Sequence, residues 1–532
     1  MEEENQTKEL FDLYEKYFFL PKSRLMELVD DFCISLEDGL KNHTNPLKIN
    51  KCYSNYKPFK MLDSCIDKLP TGKEKGVYYA IDMGGTNLRC VRVNLLGNGQ
   101  SETKFKKTKL TEMKVFASEK VLNGSKCSKI CQKEVNILDK TVSSETMFNS
   151  IASFFNEFLK ECGDLNDLGS ININSFPIEV AFTFSFPTMQ FGIANANLLI
   201  WTKGIETGRS TNDPVEGKDI GDQLNSAFKR NGIPACCKCI VNDTVGTLLS
   251  AMYDLNVNNC NINNHFSKVN ENISKEVNTL TRKSENKPLV GIVVGTGVNA
   301  CYYEPDSLNF GYKGVIINTE CGDFYSSKLP STDCDLTIDW FSDNRGKQRF
   351  EKMISGTYLG EISRLLIINF LKYKTPKIFF KKDSFKTEHI AEIISQFNDS
   401  YHNFNQNHDS SCNQNLKSIE NYLRETFSSD FDHNSTHIIA RISQMVLMRA
   451  ASLVSVLLAA FIKRINKSHN EVIIAIDGSV WTKIPTFQNY VKKSLSSIIQ
   501  ESGNLGSIYF YESDDGSGRG AAVLASTISH IH

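Results

Sequence analysis

Short apolar runs that stop at glycine turns recur along this chain. Residues 77–81 form one such run and read as a strand. The turn Asp82-Met83-Gly84-Gly85-Thr86 follows, residues 88–95 return as a second strand, and Gly97-Asn98-Gly99 closes it. Residues 289–294, the turn Gly295-Thr296-Gly297 and residues 298–303 repeat the plan. Residues 472–476 lead into Asp477-Gly478-Ser479. Residues 508–511 form a last strand, before a glycine-rich opening to a C-terminal helix. Residues 180–186 read as a strand ending at Pro187, and Ile240-Val241 ends in Asn242-Asp243-Thr244, where a helix begins that Thr or Asp would cap.

Apolar residues recur at helical spacing at Phe11, Tyr14, Phe18 and Phe19, and again from Leu25 to Leu36. Helices are also expected over 147–159, 220–228, 350–371, 437–465 and 484–495. Residues 100–145 are polar and lysine-rich, as sheet edges and loops are. Mixed strands and helices give an α/β class with two lobes and a cleft between them. The expected division is an N-terminal helical segment at 1–75, a small domain at 76–245 and a large domain at 246–532. The asparagine-rich stretches 254–287 and 401–416 read as surface segments without chemistry, the first as a mobile insertion.

Composition narrows the class. Of 532 residues, 40% are hydrophobic and 23% charged, the balance of a globular protein. A net charge of −1 provides no field to recruit nucleic acid or anionic lipid. The apolar stretch 445–462 contains Arg449, Ser452 and Ser455, so a buried helix is expected in place of a membrane span. The acidic start, Met1-Glu2-Glu3-Glu4, differs from a signal peptide, and the fifteen cysteines lack framework spacing. Both point to a cytoplasmic protein. Cys236, Cys237 and Cys239 have no partner pair at zinc spacing.

Glycine turns of this kind let successive N–H groups cradle phosphate. Three of them, far apart in sequence, suggest one polyphosphate gripped from several sides. Phosphoryl transfer to an alcohol also needs a carboxylate to take the hydroxyl proton. Asp243, at the end of an apolar strand, is the candidate, although capping a helix is the commoner role for an Asp so placed. Gly516-Ser517-Gly518-Arg519-Gly520 lacks the following strand and ribose-binding acid of a dinucleotide site.

At this point the residues carry a resemblance. Phe182-Thr183-Phe184-Ser185-Phe186-Pro187 with Gln190, then Trp201-Thr202-Lys203-Gly204, then Val241 through Thr247 closely resemble the sugar-binding signatures of hexokinases. Ile81 through Arg89, Gly295 through Ala300, Asn318-Thr319-Glu320, Phe350 through Gly356, Ile476 through Val480 and Asp515 through Gly518 match in the same order. The joint order is far more specific than any one motif. It implies an actin-like ATPase (ribonuclease H-like) fold whose cleft, between a small and a large domain, holds sugar and nucleotide.

The implied reaction is transfer of the γ-phosphoryl group of ATP to the 6-hydroxyl of glucose and related hexoses, the first step of glycolysis. By the resemblance, Asp243 is the general base and Lys203 stabilises the transferring group. Ser185, Thr202, Asn242, Asn299, Glu320 and Glu351 bind the sugar. Gly84, Gly85, Thr86, Asn87, Arg89, Thr244, Gly295, Thr296 and Gly297 hold the nucleotide, with Asp477, Gly478 and Ser479 along it. Asp82 positions Mg²⁺ through water. Cys321 stands where the family usually has Trp, Arg519 where it has Lys, and Thr357 at a variable position near the nucleotide. The single catalytic unit, expected as a monomer or homodimer, resembles half of the duplicated animal enzymes. Two other classes keep the scaffold: a sugar sensor that binds but barely turns over, and an actin- or chaperone-like ATPase, for which the sugar-facing set has no purpose.

Overall fold

Two β-sheets organise the chain, and each is built around one of the glycine hairpins. The computed structural model describes residues 2–43, 56–123, 127–165, 177–255, 266–268, 288–397, 410–465, 471–500, 507–513 and 515–529. In the five-stranded sheet the hairpin Lys75–Met83 and Asn87–Gly97 continues antiparallel into Gln100–Lys109. On the other side Ile178–Phe184 and then Ala235–Val241 lie parallel to the first strand. The seven-stranded sheet repeats this plan: Pro288–Val294 and Val298–Tyr303 form the hairpin, Ile316–Asn318 continues it antiparallel, and Glu471–Asp477 and Ser507–Glu512 join in parallel. Leu62–Asp63 and Phe266–Lys268 complete its edges. The repeated hairpin seen in the sequence is thus the visible part of a repeated sheet, giving the two-lobed fold that the resemblance implies.

Packing joins and separates the lobes. One face of the five-stranded sheet is covered by Ser144–Cys162 and Ile220–Arg230. Ser143 caps the first, accepting from the Thr146 N–H, and Gly163 ends it in the left-handed region at φ 76°. The seven-stranded sheet is covered by the N-terminal helices Glu2–Phe18 and Lys22–Asn42 and by His433–Ile465. That last helix is long and apolar enough to cross a membrane, yet 89% of its apolar window is buried in this lobe. Between the sheets lie Asp243–Leu255 and Gly516–Ser529, whose shared core takes Val91 and Ala181 from one sheet and Ile473 and Ala475 from the other. They cross at Gly246 and Gly520, where a Cβ on Gly520 would overlap the Gly246 carbonyl.

Some expectations change. The helix expected over 350–371 is two, Arg349–Ile354 and Leu359–Leu371. The break between them lets the Gly356 N–H donate to the Gly295 carbonyl at 2.8 Å, which anchors the second glycine turn. Asn242, not Thr or Asp, caps Asp243–Leu255: its Oδ1 accepts the Thr244 N–H at 3.0 Å. Residues 1–75, expected as helix and loop, also supply the strands Tyr56–Lys57 and Leu62–Asp63. Within 254–287, Asp254 and Leu255 end a helix and Phe266–Lys268 is an edge strand; the rest lies outside the described residues. Of 401–416, residues 401–409 lie outside them too, and the remainder opens the helix Ser410–Phe427.

Candidate active site

The three glycine turns meet at one cleft of about 440 Å³ between the sheets. Each stands at the end of a strand, so the fold brings together backbone N–H groups that are hundreds of residues apart in sequence. Gly84 through Asn87 line the cleft from one lobe, and Gly295 through Gly297 with Asp477 through Ser479 from the other. Gly478 takes φ 109° and packs on the Val294 backbone, a place and a conformation that exclude a side chain.

Alternation builds the opposite wall. Phe182, Phe184 and Phe186 point into the core of the five-stranded lobe, the last two against Trp201. Ser185 therefore faces the cleft. Trp201 is fixed by its ring N–H on the Thr207 carbonyl and its backbone N–H on Glu216. This places Thr202 and Lys203 at the cleft, Lys203 in the left-handed region at φ 60°. The Lys203 ammonium donates to the Ser185 carbonyl at 2.9 Å and lies over the Phe186 ring. Its stem runs between Gly85, where an added methyl group would collide with it, and Gly297, where one would collide with the Glu351 carboxylate and crowd the stem.

Asn242, Asn299, Asn318 and Glu320 form one polar network. The Asn299 amide donates to Asn318 at 2.8 Å and to Asn242 at 3.2 Å, and Asn318 donates to Glu320 at 2.9 Å. Glu351 accepts the Val298 N–H at 2.9 Å. Asp243 and Glu351 line the same cleft. Burial pushes the carboxyls of Asp243, Glu320 and Glu351 above their ordinary range, and in all three the Lys203 charge works against that rise. Asp82 raises Asp243 further.

At the phosphate end, Arg89 sits between Asp82 at 2.7 Å and Asp515 at 2.6 Å. Ser517 donates to the same Asp82 oxygen at 2.8 Å. Burial lifts Asp477, and it lifts Asp515 to about 6.

Every residue expected at the site lines this cleft except Thr244. Thr244 is fully buried, and its hydroxyl donates to Asn242 Oδ1 at 2.7 Å, so it orients Asn242 from behind and does not face the nucleotide side. Gln348, Lys107, Lys483 and Ser517 also line the cleft, and reading single residues missed them. Ser517 lay inside a matched motif. Lys107 stands opposite Arg89 in the strand pairing, a neighbour that register alone reveals. Gln348 carries no local signal.

Comparison with known proteins agrees with this geometry. Two hexokinase family models match the chain, one over residues 11–253 and the other over 289–527. Hexokinase of Plasmodium falciparum is 35% identical over 513 residues, covering 95% of this chain and 89% of that one. The chain belongs to the hexokinase family. Hexokinase of Toxoplasma gondii is 32% identical over 508 residues, covering 94% and 93% of the two chains. A crystal structure of a hexokinase superposes with a TM-score of 0.77 at 30% identity over 98% of this chain and all of that one. Hexokinase from Schistosoma mansoni complexed with glucose gives 0.71 at 25% identity, over 99% of each. The fold is the actin-like one of these kinases, and the enzyme is an ATP-dependent sugar kinase.

Proposed function

We propose that this hexokinase phosphorylates glucose and related hexoses at the 6-hydroxyl, with Asp243 as general base. One observation carries the reading: a desolvated carboxylate, an ammonium and a ring of buried amides and carboxylates meet beside three glycine phosphate cradles. A sugar is a ring of donors and acceptors, and Asn242, Asn299, Glu320 and Glu351 complement it. A wrong hydroxyl pattern would leave buried groups unpaired, which is costly.

Asp243 takes the hydroxyl proton as the oxygen attacks phosphorus. Lys203, held by Ser185, balances negative charge on the transferring group. The N–H groups of the Gly84–Thr86 and Gly295–Gly297 turns hold the phosphates. Arg89 and Ser517 share one oxygen of Asp82, and among the described residues the other oxygen has no hydrogen-bond donor. One free carboxylate oxygen suits Mg²⁺, which binds few protein groups and keeps its waters. Bound there through water, Mg²⁺ would supply charge neutralisation at the phosphate oxygens.

The deciding test is an assay of purified protein with Mg²⁺·ATP, with and without glucose, reading ADP and glucose 6-phosphate together. Equal, glucose-dependent yields are expected. Glucose binding without product would make the protein a sensor, and sugar-independent ATP hydrolysis would make it an actin-like ATPase. Asp243→Ala should lower kcat at least ~10²-fold while glucose still raises thermal stability. Near-normal kcat in that variant removes Asp243 from the base role.

A further inference from the structure

The sugar-binding carboxylate Glu320 stands in the left-handed region at φ 50°, and Gln348, which lines the same cleft, does so at φ 53°. Such conformations persist in non-glycine residues only where the surroundings hold them. Both residues are hydrogen-bonded to Asp323, Gln348 through its buried carboxylate and Glu320 through its backbone N–H. Asp323 Oδ1 accepts the Gln348 N–H at 3.1 Å, and the Asp323 N–H donates to the Glu320 carbonyl at 3.2 Å. Gly322 lies between them, with no room for a Cβ beside the Gln348 amide.

Asp323 is 5% exposed, and a buried carboxylate needs a counter-charge. Two lysines from the N-terminal segment provide it. Lys57 Nζ lies 2.5 Å and Lys60 Nζ 3.3 Å from Asp323 Oδ2. Lys60 is itself buried, and its N–H donates to the carbonyl of Thr319, the neighbour of Glu320, at 3.1 Å.

We propose that Lys60, with Lys57 beside it, is a positioning residue for sugar recognition: its charge neutralises the Asp323 carboxylate that fixes the Gln348 backbone, and so keeps Asp323 in place to close the turn at Glu320. The inference rests on the assignment of Glu320 to the sugar. Lys60 also acts on Glu320 through space. The charges that face Glu320 are Lys60 and Lys203, which favour its ionised form, and Asp243, which opposes it, while Asn318 donates to it. Glu351 lies close enough for Glu320 to raise its carboxyl.

The test is steady-state kinetics of the full chain with Lys60→Met, Lys60→Arg, Lys57→Met and Glu320→Gln. Lys60→Met should raise KM for glucose ~10-fold or more, the scale of one hydrogen bond to a charged group. KM for ATP should stay within about two-fold, since the phosphate turns are untouched. The rise should be larger at pH 6 than at pH 8, and Lys60→Arg should restore most of it. An unchanged glucose KM, or equal losses in both KM values with no recovery by Arg, overturns the proposal. Should Lys60→Met not fold, Lys57→Met decides, because it removes a less buried cation from the same carboxylate. A smaller rise confined to glucose supports the proposal, and none overturns it. Glu320→Gln separates the two levels. If it leaves glucose KM unchanged, the sugar-site assignment fails. If it raises KM while the lysine variants do not, only the positioning role fails.

Discussion

Asp243 owes its chemistry to surroundings that no single residue reveals. Burial and Asp82 raise its carboxyl, and Lys203 limits the rise. A base must be ionised, so activity should fall on acidification at a pH above the ordinary aspartate range of ~4. Lys203→Met should move that acid limb to still higher pH and lower kcat by ~10²-fold or more. A limb that stays in place would show that the two charges do not communicate. The same shift has a cost in stability. The folded protein binds the Asp243 proton more tightly than the unfolded chain does, so its contribution falls as pH rises through the raised value. Asp243→Asn should therefore raise the thermal midpoint at pH 8, with the gain vanishing near pH 4; denaturation at both values checks this. The local pattern showed a carboxylate at a strand end. It showed neither Lys203, forty residues away, nor Asp82, and so left capping and catalysis undivided.

At the scale of elements, the hairpins, the parallel strands and most helices were legible, because their apolar periodicity is local. The exceptions have tertiary causes. Residues 350–371 read as one helix because their apolar periodicity runs through Gly356 and Gly360, and the break falls at Gly356, whose N–H is claimed by the Gly295 carbonyl. Thr244 read as a nucleotide contact but turns inward to Asn242. The crossing of Asp243–Leu255 with Gly516–Ser529 depends on two glycines that no pattern links. Gly520→Val should force these helices apart and destabilise the protein by about 1–3 kcal/mol, the usual cost of overpacking. Denaturant unfolding of the variant and the natural protein checks this. An unchanged midpoint would show that the crossing is not tight.

For the whole molecule, the site is divided between lobes. Ser185 and Lys203 belong to the five-stranded side, and Glu320 and Glu351 to the seven-stranded side. A sugar that bridges both sets would draw them together, and such closure would exclude water from the phosphoryl group. Small-angle scattering should show a smaller radius of gyration with saturating glucose and no change with a polyol that does not bind. ATP hydrolysis without sugar should stay far below the sugar-dependent rate. A constant radius with full activity would mean that the cleft is preformed.

The α/β class, the glycine cradles and, through the joint order of the motifs, the hexokinase resemblance are legible along the chain, because they are properties of neighbouring residues. Which polar groups share a cleft, and what holds them there, follows from the folded arrangement alone. Gln348 and Lys107 reach the site through a loop and a strand register. Asp323, Lys57 and Lys60 act one layer behind it. Burial, counter-charge and backbone strain depend on what lies across the fold, and a linear pattern does not contain that information.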